Sequence, residues 1–460
     1  MRDDFVILVP GIMGTALTRD GLDVWDLSLQ TLGGFLGPRR TKEVLRLQEG
    51  IGNADPEPPH ALDVGRVIPS ARLLPGLVSD TGFAGLRQSL GLTEEQFAVF
   101  PYDWRLSNRN TAAKLERFVD ERLERWRTTA DPGLHPGACD AKVVFVCRSM
   151  GGLVVRYYTE VLGGWRNTRS VTTLGTPYSG SVKALRFLTG RARWVPGPLN
   201  EWVREVCSTY PSLGQLIPTY RMVLDPKEGR TELTHRASVE GIDLRTIEDS
   251  FAFFKEIKTA VRVNDEQYGR DRYALHAFGG DKHRTDQAVS FSATGRLTFH
   301  SDFSGSADPD DRSITPRGDG TVAAFAQIPP EWGSLGRALW LDSRHADLVN
   351  AEGAVEQLRR ICHDMPLARL LSSDHPVGVE LPDVAVAGEP FEVWATDADA
   401  AMQLRVRRVA EDGTHGEDVE MAPCGDGAFR AELQSEPGRW TVEVYSPTTT
   451  YVCRDVVLVL

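Results

Sequence analysis

Unbroken apolar runs of about five residues punctuate the first 370 positions, and short alternating runs fill the end of the chain. Phe5–Val9 is apolar throughout, which predicts a strand buried on both faces, and "PGIMG" behind it reads as the loop that leaves it. Residues 111–127 repeat apolar positions with helical spacing (Leu115, Phe118, Val119, Leu123, Trp126), which predicts an amphipathic helix with Arg122 on the same stripe. "KVVFVC" (142–147) predicts a strand and "GGLVVRYYTEVLGG" a helix closed by glycine. "SVTTLGTP", "RYALHAFGG" and "ALWLDS" read as later strands, and "AEGAVEQLRRIC" as a closing helix. Between "SVTTLGTP" and "RYALHAFGG" lies an insertion of about 80 residues, with helical patterns near 198–207 and 243–261. Residues 20–75 are rich in Gly, Pro and Leu and read as irregular. Strands alternating with helices imply a mainly parallel sheet covered on both faces.

Past "DHPVGVELP" the period changes. "FEVWATD", "MQLRVRRV", "GAFRAELQ", "RWTVEVYS" and "DVVLVL" are short strands separated by Gly, Pro and Asp turns, the pattern of a β-sandwich. The expected division is therefore residues 1–370, with lid or cap elements near 20–75 and 181–262, and a smaller unit over 376–460. Charge supports the break. Residues 376–460 hold sixteen acidic and six basic side chains, a net of −10 out of −12 for the 460-residue chain. Such acidity repels phosphates and argues against a nucleic-acid partner. At 41% hydrophobic and 25% charged, the composition fits a folded chain with a large core. Six cysteines form no CxxC pair, so reduced thiols are expected. The opening "MRDDFVILVPG" does not read as a signal peptide, and no run approaches a membrane span. The expectation is a cytoplasmic protein, with contact at a membrane surface left open.

The chemistry gathers around "KVVFVCRSMGGLV" (142–154). A strand, a serine and a glycine-opened helix describe a nucleophile elbow, in which a sharp turn projects the hydroxyl from the sheet edge. Gly151 satisfies the small-residue demand two places after Ser149, and Cys147 stands where glycine is usual two places before it. At a helix N-terminus the Met150 N–H would face a developing oxyanion, and the Ile12 N–H after Pro10-Gly11 would supply a second donor. A serine hydroxyl needs a base, and the base needs an orienting acid. His345, in the loop after "RALWLDS", is the best-placed base. Asp319 in "PRGDGTVAA" is the leading acid, with Asp281 and Asp347 as rivals.

These residues carry a resemblance. "VLVPGIMGTAL", "FPYDWRLS", "CRSMGGL", "TLGTPYSGS", "YPSLGQLIP", "GDGTV" and "RHADLV" occur in the order found in the lecithin:cholesterol acyltransferase and lysosomal phospholipase family, and together they span residues 5 to about 362. The chain resembles that family. The resemblance implies an α/β-hydrolase fold with a cap insertion, catalytic residues Ser149, Asp319 and His345, and oxyanion donors at Ile12 and Met150. The family usually has His before the nucleophile; this chain has Arg148. The C-terminal unit resembles immunoglobulin-like accessory modules in pattern.

The expected activity is cleavage of a lipid or phospholipid acyl ester through an acyl-enzyme. Transfer of the same acyl group to a second alcohol is the alternative, and a partner-binding effector in which the hydrolase unit is a scaffold is the rival of another class. A protein partner would be met by the C-terminal sandwich. Asp103 and Arg105 read as a buried structural pair with Trp104 in the core. Arg148 reads as a surface ion pair before a headgroup ligand. The acidic stretch "SDFSGSADPDDRS" lacks the alternation of a calcium loop, and His276 and His283 make no zinc pattern, so neither metal nor organic cofactor is expected. Lys183, Arg186, Arg191, Arg193 and Arg204 outnumber Glu201 among Phe187, Leu188, Trp194 and Trp202. A solvated cap is slightly favoured there over one that docks on anionic lipid.

Overall fold

A computed structural model describes residues 3–19, 22–25, 43–48, 62–67, 70–71, 79–80, 85–191, 197–236, 239–301, 317–333, 335–367, 377–382, 384–396, 398–399, 401–410, 414–425, 427–448 and 452–459. Most of the 20–75 lid, Arg193 and Trp194 of the cap, nearly all of the acidic stretch after Ser301 and the expected boundary at 371–375 lie outside the described residues.

In chain order, β1 is Phe5–Val9, β2 Phe97–Val99, β3 Val143–Arg148, β4 Thr168–Leu174, β5 Ala274–Gly280, β6 His283–Arg284, β7 Arg317–Gly318 and β8 Leu339–Leu341. Six of them make one sheet in the order β8-β5-β4-β3-β1-β2, every pairing parallel. β6 and β7 pair antiparallel beside it. The apolar runs are unbroken because both faces are covered. Phe5, Ile7 and Val9 of β1 join Val143, Phe145 and Cys147 in one core, while Val6 and Leu8 join Val144 and Val146 in a second on the opposite face.

Helix α1 (Asn108–Thr129) starts at Ser107, whose Oγ accepts the Arg109 N–H. It buries Leu115, Val119, Leu123 and Trp126, and each such side chain contributes roughly 1.5–3 kcal/mol when fully buried. Phe118 and Arg122 sit at the edge of that stripe, the guanidinium stacked on the ring. Helix α2 (Met150–Glu160) is buried along its whole length. The insertion holds α3 (Val182–Leu188), α4 (Gly197–Cys207) and α5 (Leu244–Tyr268); α5 runs seven residues beyond its expected end and stops at Gly269, with a φ of 80°. Helix α6 is Glu352–Cys362. The 20–75 region is not wholly irregular: Leu22–Trp25 and Asp63–Val67 flank Thr15–Arg19 in a three-stranded antiparallel sheet.

The C-terminal residues form two sheets. One is ordered Gly378–Glu380, Phe391–Thr396, Ala428–Leu433, Ala422–Gly425. The other is ordered Val384–Ala385, Val452–Val459, Gly438–Tyr445, Arg405–Val409, Val419–Glu420. Their inward residues, among them Val393, Phe429, Val406, Val444 and Val457, share one core. Alternation along Phe391–Thr396, buried and half-buried in turn, is the period-two signal of the sequence. The sequence pattern missed the short strands Gly378–Glu380, Val384–Ala385, Val419–Glu420 and Ala422–Gly425, which are too brief to show a period.

Candidate active site

The loops that carry Ile12, Ser149, Gly175 and His345 leave the C-terminal ends of parallel strands, the rim where sites of open α/β sheets are built, while Asp319 follows β7 of the antiparallel pair beside it. β3 ends at Arg148 and α2 begins at Met150, so Ser149 alone makes the turn. Its backbone sits at φ 50° and ψ −127°. A non-glycine residue there costs on the order of 1–3 kcal/mol, which the surroundings must offset. The Ser149 N–H donates to the Leu174 carbonyl at 2.9 Å, and its own carbonyl accepts from Thr176 Oγ1 at 2.8 Å. Glycines let the pieces close. A Cβ on Gly151 would lie 2.4 Å from the Pro10 carbonyl oxygen, and one on Gly152 would lie 2.1 Å from Thr176 Oγ1. Cys147 is fully buried, and burial pushes its thiol well up, so it packs as a neutral side chain.

The loop after β1 presses on the turn: a Cβ on Gly11 would come 2.9 Å from Ser149 Cβ. "PYDWR" supports that loop. Tyr102 Oη donates to the Pro10 carbonyl at 2.8 Å, and Trp104 Nε1 donates to the Thr15 carbonyl at 3.0 Å. Asp103 and Arg105 form a buried pair at 2.6 Å, and Arg105 Nη1 reaches the Leu45 carbonyl at 3.2 Å. Ile12 faces the cleft that holds Ser149, and Met150 opens α2, where first-turn N–H groups have no partner within the helix.

His345 Nε2 lies 3.0 Å from Ser149 Oγ, and His345 Nδ1 lies 2.6 Å from Asp319 Oδ2. Asp319 is fully buried, and its other oxygen, Oδ1, accepts the N–H groups of Thr321 and Val322 at 2.9 and 2.7 Å. The turn-capping and imidazole-facing roles thus fall on different oxygens. The two loops are also tied directly, His345 N–H to Asp319 carbonyl at 2.8 Å. Of the rival acids, Asp281 lies 3.8 Å from the Lys282 ammonium and Asp347 accepts from Asn350.

Sequence reasoning missed Gly175 and misread Arg148. Gly175 ends β4 at φ 63°, and a Cβ there would meet His345 Nδ1 at 2.8 Å and Asp319 Oδ2 at 2.9 Å. The glycine in "TLGTP" makes room for the imidazole and carboxylate. Arg148 is not a surface residue. It is 2% exposed, and its Nη2 donates to the His345 carbonyl at 3.1 Å. A surface ion pair was expected because arginine is usually exposed; the parallel sheet carries this one under the histidine loop.

A cleft opens over Ser149 and His345. Ile12, Phe187, Leu213, Leu216 and Val322 give it apolar walls, and Lys183 and Arg148 add cationic ones. An apolar slot ending at an activated hydroxyl suits an acyl chain and its carbonyl.

Residues 85–257 match the lecithin:cholesterol acyltransferase family. The matched stretch includes "PYDWR" and Ser149 and ends before Asp319 and His345. A chain of the Tle4-Tli4 complex superposes with a TM-score of 0.54 at 17% identity, covering 80% of this chain and 100% of that one, so the two share a fold. The propeptide form of the Bacillus licheniformis lipase BlEst2 aligns more loosely, at 14% identity and a TM-score of 0.32 over 78% of this chain and 66% of that one. No curated protein sequence matches the chain. The chain has an α/β-hydrolase-like fold, and the family match supports a lipid ester hydrolase or acyltransferase in general terms.

The insertion between β4 and β5 is less cationic than its sequence suggests. Arg186 pairs with Asp286, Arg191 with Glu240 and Arg204 with Glu201, while Phe187 and Leu188 are buried. Among the described residues no group of three or more metal-ligating side chains gathers, and no helix is long and apolar enough to cross a membrane.

Proposed function

We propose that the protein cleaves lipid acyl esters through a covalent acyl-enzyme on Ser149. The observation that carries this is the continuous line from Asp319 Oδ2 through His345 to Ser149 Oγ, with its 2.6 and 3.0 Å contacts, at the end of an apolar cleft. His345 takes the hydroxyl proton as Ser149 Oγ attacks the ester carbonyl. Asp319 holds the imidazole tautomer with its proton on Nδ1. The N–H groups of Ile12 and Met150 face the oxyanion, and each such donor is worth roughly 10²–10³-fold in kcat. His345 then protonates the leaving alcohol. Water, activated by the same imidazole, releases the fatty acid and regenerates Ser149.

The apolar cleft walls, with Lys183 and Arg148 as their cationic members, support a phospholipid or lysophospholipid, whose acyl chain is apolar and whose headgroup is anionic. The proposal includes a cytoplasmic location with the substrate reached at a membrane surface, and a C-terminal immunoglobulin-like β-sandwich over residues 376–460. A lipid panel with mass-spectrometric product analysis tests it. Free fatty acid should form from glycerophospholipids in a Ser149-dependent way. Acyl products that appear only when an alcohol is added would move the assignment to acyl transfer, and no product from any ester would end it.

A further inference from the structure

His345 stands on a loop, and that loop is anchored by the far end of the chain. The residue before the imidazole is Arg344, whose side chain is 11% exposed. Its Nε pairs with Asp455 Oδ2 on strand Val452–Val459, and its Nη1 donates to the Val379 carbonyl on strand Gly378–Glu380. Those strands belong to different sheets of the C-terminal unit. The guanidinium also lies over Gly320, the neighbour of Asp319: a Cβ there would come within 3.0 Å of Arg344 Nη2. One planar cation thus touches the base loop, the acid loop and both C-terminal sheets.

A second line of contacts runs in parallel. His283 is fully buried, and its Nδ1 accepts the Val379 N–H at 3.1 Å while its Nε2 lies 3.2 Å from the Asp342 carbonyl, two residues before Arg344. Burial first, and then the Arg344 charge, pushes His283 down to about 3, so the ring is neutral and Nε2–H is the donor. Thr285 Oγ1 donates to the His283 carbonyl and accepts the Gly320 N–H, both at 2.9 Å. The backbones are close as well, since a Cβ on Gly378 would lie 2.8 Å from the Lys282 carbonyl oxygen.

We propose that the C-terminal unit is a positioning element of the active site, acting through Arg344, Asp455 and His283 to hold His345 against Ser149 and Asp319. The proposal rests on the reading of Ser149, Asp319 and His345 as the reacting set. Its physical basis is geometric. Base catalysis needs the imidazole within hydrogen-bonding reach, and a displacement of about 1 Å can cost on the order of 10²-fold in rate. A loop of small and polar residues cannot fix a ring to that tolerance by itself. A guanidinium can, because its planar fork serves two acceptors at fixed angles, which a lysine cannot do.

The test uses the full-length protein and variants Asp455→Ala, Asp455→Asn, Arg344→Ala and Arg344→Lys, with Glu443→Gln as control. Glu443 pairs with Arg407 and Arg454 inside the C-terminal unit. Three quantities are read: kcat and KM on a soluble p-nitrophenyl ester, the rate of Ser149 labelling by a fluorophosphonate, and the unfolding midpoint. Asp455→Ala and Arg344→Ala should lower kcat and the labelling rate about 10- to 100-fold while KM changes less than about twofold. Asp455→Asn, which keeps an acceptor, should fall between them and wild type, and decides the matter if Asp455→Ala does not accumulate. The double variant should cost far less than the product of the single losses, because both remove the same contact. Glu443→Gln should keep the wild-type kcat and labelling rate while its unfolding midpoint falls. Folded Asp455 and Arg344 variants with wild-type kcat, or losses confined to KM, would overturn the positioning role. Fluorophosphonate labelling that survives Ser149→Ala would instead overturn the reading of the site itself, which separates the two failures.

Discussion

Ser149 and His345 sit 3.0 Å apart and are held in opposite ways. Ser149 is fixed by its own neighbourhood in the chain: the strand that ends at Arg148, the helix that starts at Met150, and glycines at 151 and 152 that let both press against β1 and β4. His345 has no such local frame. Its carbonyl is held by Arg148 from β3, its N–H by the Asp319 carbonyl, and its loop by contacts of Arg344 with residues 379 and 455. A nucleophile needs a strained turn, and strain can be encoded by a few adjacent residues. A base needs a place rather than a conformation, and a place is defined by whatever happens to surround it.

That contrast can be broken in several ways. The largest effect belongs to Ser149→Ala, which should remove fluorophosphonate labelling and lower kcat by about 10⁴–10⁶-fold with the unfolding midpoint unchanged. Residual labelling at another residue would show that the local frame holds no nucleophile. Next comes Gly175→Ala, where the new methyl would push into both His345 and Asp319. Turnover should drop on the order of 10²-fold. Gly333→Ala is the fair comparison, since Gly333 also has a positive φ, 63°, but nothing within 4 Å of a Cβ. It should cost only about 1–2 kcal/mol of stability and leave kcat alone. Equal losses in the two variants would mean that backbone conformation, not crowding of the imidazole, is what Gly175 provides.

A smaller effect follows from His283 and is read as stability against pH. The ring faces the Arg344 guanidinium and the Asp319 carboxylate, and between them burial and the guanidinium win, holding it down to about 3. Above about 6.5 the ring is neutral folded or unfolded and contributes no pH dependence. As pH falls from 6.5 to about 3, the unfolded chain binds a proton that the folded one refuses, so stability should fall by up to about 1.4 kcal/mol per pH unit. Denaturant melts of wild type and His283→Gln over that range check it, and the variant should lack that share of the slope. Smallest is Thr176→Val, which keeps shape but removes the hydrogen bond to the Ser149 carbonyl. Because Gly152 N–H also bonds that carbonyl, at 3.0 Å, the expected loss is about 1 kcal/mol, severalfold in kcat.

The legibility of the site follows the same division. The elbow could be read because its signal is compact: an apolar run, one serine, two glycines. Asp319 was ranked above Asp281 and Asp347 by its glycine-flanked turn between Ser149 and His345, and the family's motif order pointed the same way. Arg148 was misread because nothing in "CRSMGG" says that its side chain runs inward beneath the histidine loop. Gly175 was visible only as a motif letter, and its reason, space for two side chains more than a hundred positions away, is not a property of the chain around it. Arg344, too, was visible only as a motif letter, in "RHADLV".

Apolar period determined the layers. Unbroken runs can be satisfied only by burial on both faces, and alternating runs only by a sheet with one face inward, so the parallel sheet and the largely antiparallel C-terminal sheets were written in the chain itself. Tertiary structure decided which loops meet at the rim of that sheet, and with them the partner of every polar group in the site. Hydrogen-bond partners at the rim are set by direction and distance in space, and a sequence position carries neither until the strands have taken their order.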